Sequence, residues 1–177
     1  MSRGGTICAY GAAVVAFGYA LVSLYWAIGG TGLLSTVGGY AETAARHGGA
    51  GAVVLGLATV VVKVVGGLLA LALARGWART WSRAIAPSWL LIVSAAASLV
   101  LIVYGAVNVL AGALVLGGAI HPSGDVDRAA LRWHTGVWDL WFLVWGVLLA
   151  VATVSYWRAN RSWLSRGRSG IRLARSR

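Results

Sequence analysis

Trp133-His134-Thr135-Gly136-Val137-Trp138-Asp139-Leu140-Trp141-Phe142-Leu143-Val144-Trp145-Gly146 is the stretch on which the fold turns, because it carries one carboxylate into a run otherwise fit for lipid. An ionised side chain at the centre of a spanning helix costs about 2.5–3.5 kcal/mol on the insertion scale, so Asp139 is expected to face protein or trapped water. The other acidic residues, Glu42, Asp125 and Asp127, fall in polar connections. The single lysine, Lys63, falls in the middle of another apolar run. Lys63 and Asp139, each alone in its helix, are therefore the expected pair.

Outward from this stretch, composition sets the class. With 59% hydrophobic residues, 11% charged residues and a mean hydropathy of +0.80, the chain is excluded from the soluble globular class and reads as an integral membrane protein. The net charge of +11 does not point to nucleic acid, because the basic residues flank apolar runs, where they record topology and meet anionic headgroups. A lone Cys8 excludes an internal disulfide and a cysteine-rich metal site. His121, His134, Asp125, Asp127 and Glu42 show no metal-ligand spacing, so neither a metal nor a cofactor is expected. The preference for Arg over Lys, with abundant Ala, Gly, Val and Leu, suggests a GC-rich bacterium and hence its cytoplasmic (inner) membrane.

Four apolar segments predict an all-α, four-helix transmembrane bundle over residues 1–157, with helices at about 7–28, 52–74, 88–117 and 136–157. A basic cytoplasmic tail, disordered or lying on anionic lipid, is expected over 158–177. The first segment exceeds the roughly 7–15 residues of a signal core and lacks a small-x-small cleavage site, so it reads as a retained helix. The glycine-rich connection 29–49 has room for a short interfacial helix at Tyr40 to His47. Arg3, Arg75, Arg79, Arg83 and the arginines from Arg158 onward oppose Arg46, Arg128 and Arg132, which puts both termini in the cytoplasm. Trp26 and Trp133 are expected at the outer boundary, and Trp77, Trp81, Trp89 and Trp157 at the inner one.

Two stripes of small and polar residues mark helix faces that should pack inward. They are Gly56, Thr59, Lys63, Gly66, Gly67 and Ala70, and then Ser94, Ser98, Gly105, Asn108 and Gly112. Lys63 lies eleven residues past Ala52, about 16 Å down, but its side chain leans toward the outer end of its helix and reaches further that way. Lys63, Asn108 and Asp139 are thus expected at similar depth in the outer half.

The segments Tyr25-Trp26-Ala27-Ile28-Gly29-Gly30-Thr31, Leu131-Arg132-Trp133-His134 and Trp138-Asp139-Leu140-Trp141-Phe142 resemble an uncharacterised family. It comprises small four-helix bacterial membrane proteins, common in actinobacteria and known only as a domain of unknown function. The resemblance covers about Tyr10 to Tyr156 in layout and implies a fold and a location without an activity.

His134, Trp138, Trp141 and Trp145 share a helical face and, with Tyr25 and Trp26, could wall a pocket whose floor is Lys63, Asn108 and Asp139. The plainer reading is a buried charged pair that fixes helix register beside tryptophans that merely pack. The leading functional class is a non-catalytic membrane protein that binds a membrane lipid or small apolar molecule, or a helper subunit of a membrane complex. One alternative is a small membrane enzyme acting on an isoprenoid or lipid, with Asp139 and Lys63 as its catalytic groups. Its weakness is that the Lys63 ammonium would hold Asp139 ionised. A second alternative is a proton- or ion-coupled carrier, which four helices would assemble as a homo-oligomer.

Overall fold

A computed structural model describes residues 1–75, 86–124 and 126–174. Trp77, Arg79, Trp81, Arg83, Asp125, Arg175 and Arg177, to which the sequence assigns places in the loops and tail, lie outside the described residues. The helices are α1 (Arg3–Ala27), α2 (Gly39–His47), α3 (Ala50–Arg75), α4 (Ala86–Leu116), α5 (Arg128–Trp133) and α6 (Asp139–Ala174). A single π-helical turn, His134–Trp138, joins α5 to α6. Four of these stretches are long and apolar enough to cross a membrane, which makes this a multi-pass helical membrane protein.

Local chemistry sets the helix ends. The Ser2 hydroxyl accepts from the Gly5 amide and starts α1 at Arg3, ahead of the apolar run expected from residue 7. Asp127 caps α5 by accepting from Ala129 and Ala130, so the fourth span becomes helical well before residue 136. The short helix expected at Tyr40 to His47 is present as α2. The backbone of α6 is helical from Asp139 to Ala174, so the helix runs on past the apolar span into the arginine-rich segment.

The helices are not arranged as four equivalent neighbours. Antiparallel α1 and α6 form the centre, α3 lies along α1, α4 lies along α6, and α3 and α4 hardly meet. Small residues permit this closeness: a Cβ on Gly105 of α4 would stand 2.6 Å from the Leu143 amide nitrogen of α6. Lipid tails are as apolar as leucine, so such backbone approach is what holds membrane helices together. Ser94, Ser98, Gly105 and Gly112 are buried, as the α4 stripe anticipated. On α3, Gly67 packs under Phe17 and Gly66 under Trp145, but Thr59 is exposed, so the stripe is only partly internal. Only 6% of the spanning window of α3 is buried, which leaves most of that helix to the lipid.

The half of the bundle nearer the termini is filled by Ala9, Ala12, Ala13, Ala16, Ala70, Leu73, Leu90, Leu149 and Ala152. Trp89 and Trp133 stay exposed near the ends of their helices, and Trp157 is exposed part-way along α6. Trp26, half-buried at the end of α1, makes tertiary contacts as well. It turns inward onto Trp138, and its indole N–H donates to the Gly32 carbonyl at 2.8 Å.

Candidate functional site

The functional candidates gather at the end of the bundle opposite the termini, under the connection between α1 and α2. Leu33 there takes a left-handed backbone (φ 60°), uncommon for a bulky residue, and this turns Leu34 inward, where it is 3% exposed. The Thr36 hydroxyl donates to the Leu33 carbonyl and accepts from the Trp138 indole at 3.2 Å. The Val37 carbonyl faces His134 Nε2 at 2.7 Å. At Gly38 (φ 63°) the backbone passes so close to Ala130 that a Cβ would sit 3.0 Å from that methyl. The connection is thus strapped across the entry to the fourth span. Tyr25 and Trp26 shape its start, since the Tyr25 hydroxyl accepts from the Gly32 amide at 3.1 Å while Trp26 bonds the Gly32 carbonyl.

Below the strap lies a continuous aromatic cluster. Tyr19 stands 5.9 Å from Trp138, 5.2 Å from Trp141 and 4.9 Å from Phe142, ring centre to ring centre. Trp138 also stacks on Trp141, and Phe142 meets Tyr104 edge-on at 5.1 Å. The Trp141 indole donates to the Val15 carbonyl of α1 at 3.0 Å, using the lone pair left over from that carbonyl's helical bond. The rings pack against one another, and Trp138 is 3% exposed.

The expected Lys63–Asp139 ion pair is not formed. Lys63 Nζ donates to Ser23 Oγ at 2.5 Å and lies 4.0 Å above the centre of the Tyr19 ring. Asp139 instead faces His134, with Oδ2 3.3 Å from Nδ1. The reason is geometric: α3 packs on α1, so its lysine meets the α1 side chains Ser23 and Tyr19. Asn108 does not complete a polar triad either, because its amide donates to Tyr104 O within its own helix. Trp145 lies away from the strap, buried against Gly66 within the terminal-half core, and its indole nitrogen has no hydrogen-bond partner among the described residues.

The π turn accounts for the partner that the sequence pattern misassigned. In an α-helix, residues five apart point about 140° away from each other, so His134 and Asp139 would diverge. Here the Asp139 amide bonds to the His134 carbonyl, an i to i+5 link that stacks the two residues on one face. Tyr19, Ser23, Phe142 and Tyr104 also join the site although the sequence reading did not single them out. Tyr19, Ser23 and Trp26 recur at helical spacing on α1, which is the signal that could have revealed that polar stripe.

The first and last of the resemblance-bearing segments therefore meet in space, through Trp26 on Trp138. Residues 16–149 match a family described as proteins of unknown function, DUF3995. The chain belongs to the DUF3995 family. No curated protein and no solved structure matches this DUF3995 member.

Proposed function

We propose that this DUF3995 protein is a non-catalytic membrane protein that binds an amphiphile, with Lys63 as the anchor for its head. The carrying observation is an ammonium inside a spanning helix whose contacts are one hydroxyl and one ring face, with no ion pair to a carboxylate among the described residues. An intramembrane charge is costly and marks a ligand path by default. One turn further along α3, Gly66 packs under Trp145, whose buried indole N–H has no acceptor among the described residues. An ammonium that gives one of its three hydrogens to Ser23 Oγ favours a head rich in oxygen, such as a carboxylate, phosphate or carbonyl, with an apolar tail along the lipid-facing side of α3. A membrane lipid meets that description. A helper role in a larger membrane assembly would use the same exposed helices.

The test is mass spectrometry of the lipid that copurifies with the protein in mild detergent. A charge-assisted hydrogen bond contributes about 1.5–3 kcal/mol, so Lys63→Met should lower retention of a specific amphiphile by about tenfold or more. Lys63→Arg should keep part of it. Unchanged lipid content in folded Lys63→Met overturns the reading. The orientation implied by the arginines has its own check: cysteines at Ser35 and Ser123 should react with an impermeant thiol reagent on intact cells, and one at Ser165 should not.

A further inference from the structure

We propose that His134 and Asp139 form a one-proton site that exchanges a single proton with the solution at the loop end of the bundle. The inference does not depend on the amphiphile reading. It follows from what each atom can do. The Val37 carbonyl can only accept, so His134 Nε2, 2.7 Å away, carries its hydrogen in every state that keeps this contact. The other ring nitrogen, Nδ1, is 3.3 Å from Asp139 Oδ2. That contact is attractive only when one proton lies between the two groups, on Nδ1 or on the carboxyl. Without it, a nitrogen lone pair faces a carboxylate, and the pair carries a charge of −1 in a low-dielectric setting.

Placement suits exchange. The His134 side chain is 35% exposed, whereas that of Asp139 is 7% exposed, so the imidazole connects the solution to a buried carboxyl. A hydronium ion of the outer solution gives its proton to Nδ1 of neutral His134 and leaves as water, so an imidazolium stands beside the Asp139 carboxylate. The Nδ1–H bond then breaks as the Oδ2–H bond forms, leaving neutral imidazole beside neutral carboxyl, and release is the reverse. One proton enters, and the charge of the pair goes from −1 to 0. The π turn that aligns the two residues is a helix irregularity met frequently at functional sites.

The surrounding groups leave this proton to the pair. From α1 and α4, the Tyr19 and Tyr104 phenols lie within electrostatic range of Asp139. From α3, Lys63 is engaged with Ser23 and the face of Tyr19. The strap presents the Thr36 hydroxyl and the Val37 carbonyl, neither of which titrates. Arg132, on the adjoining α5, is exposed. Among the described residues His134 is the single ion-pair partner of Asp139.

The full chain in lipid nanodiscs, with ¹⁵N-labelled histidine, tests this by nuclear magnetic resonance together with infrared spectra of the carboxyl stretch. Neutral His134 should be the Nε2–H tautomer. A protonated-carboxyl band should vary with pH and be lost in Asp139→Asn, and that variant should change the His134 Nδ1 resonance, whose carboxyl partner is then gone. An Nδ1–H tautomer, or a His134 Nδ1 resonance indifferent to Asp139→Asn, overturns the proposal. Should Asp139→Asn not fold, His134→Gln serves, since an amide can still donate to Val37. The pH course of the Asp139 carboxyl band must then move from that of the unaltered chain, and an unmoved course is equally fatal.

Discussion

The two halves of the bundle are built on different principles. Near the termini, α1, α3 and α6 meet through Ala9, Ala12, Ala13, Ala16, Ala70 and Ala152, and contact is steric. At the loop end the helices and the strap are joined by directed bonds between residues far apart in sequence. These are Lys63 to Ser23, Trp138 to Thr36 and His134 to Val37, with Trp141 to Val15 just below. A steric core tolerates one arrangement and little motion. A set of single hydrogen bonds, each contributing about 0.5–1.5 kcal/mol, can open and reclose. The difference separates the part that holds the fold from the part able to bind and release.

The largest effect should come from steric contact. Gly105→Leu places its Cβ 2.6 Å from a backbone nitrogen of α6, whereas a Cβ on Gly51 of α3 would meet nothing within 4 Å. Overpacking costs about 1–3 kcal/mol in forgiving sites, and here the obstacle is backbone, so Gly105→Leu should abolish folded yield. Gly51→Leu should leave the melting temperature in detergent nearly unchanged. Equal behaviour of the two variants would show that the close approach of α4 to α6 is not what holds these helices together.

An intermediate effect concerns the two intramembrane charges. A shared ion pair would let the double variant Lys63→Met, Asp139→Asn recover much of what either single change loses. The structure gives the charges different partners, so the two losses should add within about 0.3–0.5 kcal/mol when stability is followed by denaturant or heat. Substantial recovery in the double variant would restore the pair that the sequence suggests.

The smallest effect belongs to the strap. Thr36→Val keeps the shape and removes the acceptor for the Trp138 indole, for an expected loss of about 1 kcal/mol. Amide hydrogen exchange should rise over the strap and the π turn, and stay as before in the alanine-packed half. Faster exchange spread evenly over both halves would show that they open as one unit.

Most of the architecture was legible in the sequence because it follows from one-dimensional quantities. Apolar runs of spanning length, arginine asymmetry and the Gly, Ser and Ala stripe of α4 are local records of a helix crossing lipid with one face against protein. They settled the number of spans and the burial of Ser94, Ser98, Gly105 and Gly112. That two charges inside the membrane need company was equally plain from the energy of burying them.

Which company they keep was decided only in three dimensions. Counting charges pairs Lys63 with Asp139, but a helix offers each side chain only what its neighbours present, and α3 lies along α1 while α6 also packs on α4. A π turn of one extra residue, which apolar periodicity does not encode, then brings His134 over Asp139 and leaves Lys63 to Ser23 and Tyr19. Sequence spacing fixes depth along a helix axis. Packing fixes the azimuth, and in this protein the azimuth chooses the partners.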